Sequence, residues 1–169
     1  LVDVAVRGSR RPAIQVAPRR STGPMENAEF AALVLLVQDW DEIAPWLIES
    51  LFDDDAYRMA FAALADAHGD LQMALESASP DGRDVLERAA VADLHLVPDV
   101  EARTLIGAAA RRELRLRARL VDSATIEEDR AARLELEALN DTDRERALAA
   151  ADALLGWLDR RSQERHDGG

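Results

Sequence analysis

After Pro24 the sequence is cut by helix start and stop signals into short pieces followed by long ones, and this constrains the fold more than any single motif. Asn27 is placed to cap the run AEFAALVLLVQD, in which Phe30, Leu33, Val34 and Val37 share one helical stripe. Asp41 is placed to cap EIAPWLIESL, with Pro45 in a first turn where no backbone donor is required. In the next piece, DDDAYRMAFAAL, the residues Tyr57, Ala60, Phe61 and Leu64 form the apolar stripe. Gly69 after His68 stops it in a left-handed cap, which makes His68 a last-turn cation or part of the cap. Two more short pieces follow, DLQMALESA from Asp70 and DGRDVLERAAVADL after the Ser79-Pro80 break. A far longer helix starts at Pro98-Asp99 and is expected to run to about Val121. Thr125 with Glu128 reads as a capping box opening IEEDRAARLELEAL, and further caps at Asn140, Asp141 and Thr142 either kink the second arm or split it. The short DSAT connection between two long arms predicts an antiparallel helical hairpin.

The expected fold is therefore all-α: a flexible basic linker over residues 1–24, a bundle of about five short helices over 25–97, a long antiparallel helical hairpin over 98–162, and a disordered tail over 163–169. Bundle and hairpin are expected to behave as two subdomains, the first burying Trp40, Trp46, Phe52 and Phe61, because the helix length changes at Pro98. Composition agrees with helices, since the chain is rich in Ala, Leu, Glu and Arg and only 4% aromatic. At 169 residues it is long enough to bury a real core.

Charge divides the chain again. All 21 basic residues are arginine, against 33 acids. Residues 1–24 carry five arginines against Asp3, a net of +4; residues 25–110 carry four against 18 acids, a net of −14; residues 111–169 carry 12 against 14, a net of −2. The paired arginines Arg10-Arg11 and Arg19-Arg20 of the linker allow weak contact with nucleic-acid phosphates, whereas no direct nucleic-acid binding is expected of the helical part. The chain has no cysteine, which removes disulfides, thiolate zinc sites and cysteine nucleophiles together. Without an apolar signal core or a membrane-length apolar run in the sequence, the reading is of a cytoplasmic fragment of a longer protein with no membrane partner.

The acid cluster Asp53-Asp54-Asp55 raises the question of a metal. A calcium loop needs oxygens at alternate positions, a glycine turn and a distant Glu, and a transition-metal site would want His or Cys nearby; neither pattern is present. Contiguous aspartates diverge along the backbone, while a capping Asp and acids in a first turn serve a helix start. No metal, cofactor or catalytic residue is expected, and an enzyme built on acid-rich helices lacks an E-x-x-H pair here.

The run ALVLLVQDWDEIAPWLIESLFDDDAYRMAFAALADAHG, with Phe52, Tyr57-Arg58 and Ala60-Phe61 before a close at Leu64, resembles the C-terminal domain of bacterial DNA primases. That domain is in turn similar to the N-terminal domain of the replicative helicase. The Arg-rich run RRELRLRARL followed by a capped acidic-basic helix also resembles the primase tail, so the likeness covers roughly residues 26–162. The resemblance implies a non-catalytic domain that docks a primase onto the helicase ring and couples primer synthesis to the fork. Residues 1–24 would then be the tether from a polymerase domain, and Leu1 to Ser9 its last residues. A helical protein-interaction adaptor of another family is the alternative.

The tail ALLGWLDRR offers the candidate docking residues. Leu154, Leu155, Trp157 and Leu158 occupy more than one helical face, and Arg160 and Arg161 lie where cations are favoured at a helix end. A partner would use these as anchors; alternatively Trp157 closes the hairpin's own core and the arginines are solvated.

Overall fold

The computed structural model describes residues 24–119 and 123–168, and these form helices and turns without a strand. The elements in order are α1 (Pro24–Gln38), α2 (Trp40–Ile43), two 3-10 turns at Ala44–Trp46 and Glu49–Leu51, α3 (Asp55–Asp66), α4 (Leu71–Ser77), α5 (Pro80–Ala90), α6 (Pro98–Arg117), α7 (Ser123–Ala138) and α8 (Arg144–Asp167). The fold is thus all-α, short helices preceding long ones. Apart from Pro24, the residues read as a basic linker lie outside the described part.

Several starts differ from the sequence reading for local reasons. Proline's fixed φ suits a first turn, so α1 begins at Pro24 and Asn27 lies inside it. Asp39, rather than Asp41, precedes the next element, which is only one turn of α-helix before Pro45 tightens the chain into 3-10 geometry. Asp54 caps α3, its carboxylate accepting from the amides of Ala56 at 2.8 Å and Tyr57 at 3.3 Å. At the other end His68 and Gly69 both take positive φ, and the Gly69 amide donates to Leu64 at 2.9 Å. A Cβ at Gly69 would stand 2.5 Å from the Trp40 ring, so glycine is needed here for space as well as for its backbone. Asp70 and Ser79 cap α4 and α5 as their positions suggest, accepting from Met73 and Gly82 respectively.

The long part is three helices. Helix α6 stops at Arg117, four residues short of the expected end at Val121, and α7 begins at Ser123, so Thr125 lies inside α7 and does not cap it. The second arm is split: α7 ends at Ala138 and Asp143 caps α8 through the Glu145 amide at 3.0 Å. Arg117 meets Asp129, and Arg103 reaches the Leu139 carbonyl at 2.9 Å, so α6 and α7 run antiparallel. Arg144 meets Asp99 at 3.0 Å and Arg165 meets Glu113 at 2.6 Å, so α8 returns parallel to α6. Helix α8 continues to Asp167, through most of the 163–169 span read as a disordered tail.

Packing does not divide at Pro98. The buried side chains form one continuous cluster running from α1 through α3 and α5 to α6, α7 and α8. Helix α6 is the shared wall, with Ala102, Leu105, Ile106 and Ala109 buried between the two halves. Phe52 and Phe61 stack in this cluster with centroids 5.0 Å apart, whereas Trp40 and Trp46 are half-buried and cover its edge instead of filling it. Each fully buried Leu, Ile or Phe contributes about 1.5–3 kcal/mol, so a core shared in this way ties the two halves energetically.

Candidate interaction surface

The residues proposed from the tail are mostly turned inward. Leu154 and Leu158 are buried, Trp157 is only 5% exposed, and Leu155 is half-buried against the same core. The wide apolar stripe has an internal cause: α8 packs against both α6 and α7, and touches the Glu49–Leu51 turn as well. Two neighbouring helices bury a wider face than one. Trp157 is therefore a core side chain and not a free anchor, although its buried indole N–H has no hydrogen-bond partner among the described residues.

The two arginines separate. Arg160 is exposed and makes no hydrogen bond or ion pair among the described residues. Arg161 reaches back to Glu128 on α7 and to Glu164 at 2.6 Å. Glu128 also meets Arg117 at 3.3 Å, and Arg117 meets Asp129 at 2.6 Å with both side chains only 8% exposed. A charge pair so nearly desolvated must be well bonded to be tolerated, and this one fixes the register of α6 against α7. Arg161 is thus structural in part.

The three aspartates do three different things. Asp54 caps, Asp53 pairs with Arg112 at 3.5 Å, and Asp55 pairs with Arg58 one turn on. Among the described residues no group of three or more His, Asp or Glu is placed to hold a metal ion.

Beneath them lies a residue that the sequence reading passed over. Glu29 is 2% exposed in the first turns of α1, and its two carboxylate oxygens accept from the amides of Asp53 at 2.9 Å and Asp54 at 3.3 Å. Burial raises its pKa above the usual glutamate value, against the two amide hydrogen bonds and the nearby Arg112, which lower it. The available signal was a single acid inside the otherwise apolar run from Ala28 to Val37.

Exposed apolar surface gathers elsewhere, on the extended segment between α5 and α6. Val91 is 83% exposed, and Leu94, Val97 and Val100 are exposed with it. Beside them a groove of about 520 Å³ runs between α1 and α6, lined by Ala28, Phe30, Ala31, Leu94 and Leu96, with Glu101 and Thr104 on its α6 side. The groove is held open by its neighbours: Gln38 donates to the Ala92 carbonyl at 3.3 Å, and Arg88 lies over the Phe30 ring at 5.7 Å. An apolar groove with Glu101 on one side suits a partner side chain or helix better than it suits water.

Among the described residues no helix is long and apolar enough to cross a membrane. Comparison with protein-family profiles, with curated proteins and with solved structures finds no match for the chain.

Proposed function

We propose that this chain is a non-catalytic docking domain of a bacterial DNA primase, cytoplasmic and without a cofactor, which seats on the N-terminal domain of the replicative helicase. The observation that carries this reading is where the resembling residues lie. Phe52, Tyr57, Ala60, Phe61 and Leu64 are all buried, which is compatible with the packing role the resemblance gives them. The parent chain would make primers; this part would hold it to the helicase.

The buried state of Trp157 moves the expected contact away from the α8 tail. The groove at Leu94 and the exposed Val91, Val97 and Val100 supply the apolar centre that a stable interface needs. Co-elution with the isolated helicase N-terminal domain tests the assignment. Leu94→Asp combined with Val97→Asp should abolish co-elution with the helical circular dichroism unchanged, whereas Arg160→Ala should leave it intact. The same groove also fits the second reading, a helical adaptor for another protein, and lack of co-elution by the unaltered chain would favour that reading.

A further inference from the structure

Arginines on the outer side of the long helices are unevenly committed. Arg103, Arg112 and Arg117 of α6 each meet a carboxylate or a carbonyl. Arg111, Arg115 and Arg119 are exposed, and none of them makes a hydrogen bond or ion pair among the described residues. Arg111 and Arg115 lie one turn apart on the same face of α6, about 6 Å along its axis, and Arg119 follows in the turn after the helix. Arg130 and Arg133 of the adjacent α7 are exposed and uncommitted in the same way. Helix α7 lies close, since a Cβ at Gly107 would stand 3.2 Å from Leu139. On α7 the Arg133 position is rotated well away from Glu128, which faces α8, and so lies toward the arginine line of α6. In a chain with a net charge of −12, guanidinium groups left without carboxylates and collected on one side form a distinct local field.

We propose that this face binds the phosphodiester backbone of single-stranded nucleic acid, a contact beyond the helicase docking of the preceding section and made by different residues. Guanidinium forks match phosphate oxygens two at a time, and a short row of them along the end of one helix suits one strand better than two strands across a groove. Between and beside the arginines the α6 face carries Val100, Thr104 and Ala108 and no aromatic side chain, so stacking of bases has no platform there, and the larger exposed apolar side chains, Ile126 and Leu134, are on α7. Leu116, though exposed, turns instead toward the cleft against Leu158 of α8. The contact is therefore to backbone, independent of base sequence and strongly dependent on salt. Glu127 and Glu137, exposed on α7, limit it to the α6 side.

Fluorescence anisotropy with a labelled deoxythymidine 20-mer, a uridine 20-mer and a hairpin duplex tests this on the intact chain. Both single strands should bind at low salt and the duplex several-fold more weakly. The logarithmic salt slope should be about −0.7 for each phosphate engaged, or about −2 if Arg111, Arg115 and Arg119 all take part. Arg115→Ala with Arg119→Ala should weaken binding at least tenfold and flatten the slope, while Arg160→Ala on α8 changes neither. Absence of binding at low salt, or equal binding by the Arg115/Arg119 variant, overturns the proposal. Loss of binding in Ile126→Ser with Leu134→Ser, or equally tight binding of polyglutamate, would also overturn it, by marking the face as a surface for an acidic protein.

Discussion

Single residues decide the local geometry around α3, and two of them give direct predictions. Asp54 is the only one of the three adjacent aspartates whose carboxylate accepts from the first-turn amides of α3, so Asp54→Ala should lower unfolding free energy by about 1 kcal/mol, measured by urea denaturation. Asp53→Ala and Asp55→Ala should each lose less, since both aspartates are exposed and belong to ion pairs of small value. Glu29 is the more consequential acid, because its removal leaves two backbone amides without a partner. Glu29→Ala should cost about 1–3 kcal/mol on that ground. Its raised pKa also fixes a sign: the folded state holds the proton more tightly than the unfolded chain does. Its contribution is full below the ordinary glutamate value and is lost as pH rises through the raised one. Denaturation midpoints from pH 4 upward should therefore fall less steeply in Glu29→Gln than in the unaltered chain.

Helical elements were legible where a start signal preceded an apolar stripe, as in α3, although which of the three aspartates caps it was not; α4 and α5 were legible as pieces set off by Asp70 and by the Ser79-Pro80 break, and both residues prove to take a first-turn amide. The cap rule failed where proline took precedence. Pro24 opened α1 ahead of Asn27, and Pro45 shortened the second element into 3-10 turns. The break in the second arm was visible as the cluster of possible caps Asn140, Asp141 and Thr142, but the cap is none of these: it is Asp143, one residue on, and the return of α8 onto α6 is encoded in no local pattern. The surplus face around Trp157 was misleading for a related reason, because the number of helices covering α8 is a tertiary fact. At this scale the buried Arg117 to Asp129 pair should hold α6 against α7. Asp129→Ala should cost about 3 kcal/mol by leaving the buried guanidinium only its longer contact with the exposed Glu128, while Arg117→Leu together with Asp129→Leu should cost far less, as chemical denaturation of both variants would record.

The whole molecule has one core with α6 as the wall between its halves, so it should unfold as a unit. A fragment of residues 24–97 is expected to lack cooperative thermal unfolding by circular dichroism, because it loses Leu105, Ile106 and Leu154 from the cluster that buries α1. A cooperative fragment would instead mean that the division expected at Pro98 is real. The function proposed for the molecule stands apart from this: Phe52, Tyr57, Phe61 and Leu64, on which the proposal draws, are buried, while docking must use exposed residues, which is why the fold could be read further than the site. The most direct measurement is isothermal titration of the intact chain into the helicase N-terminal domain at about physiological salt. A saturable heat, lost in the Leu94→Asp, Val97→Asp variant and retained when Arg115 and Arg119 are replaced by Ala, is the expected result. No saturable heat from the folded, unaltered chain at tens of micromolar, roughly the weak end of specific docking, would contradict it.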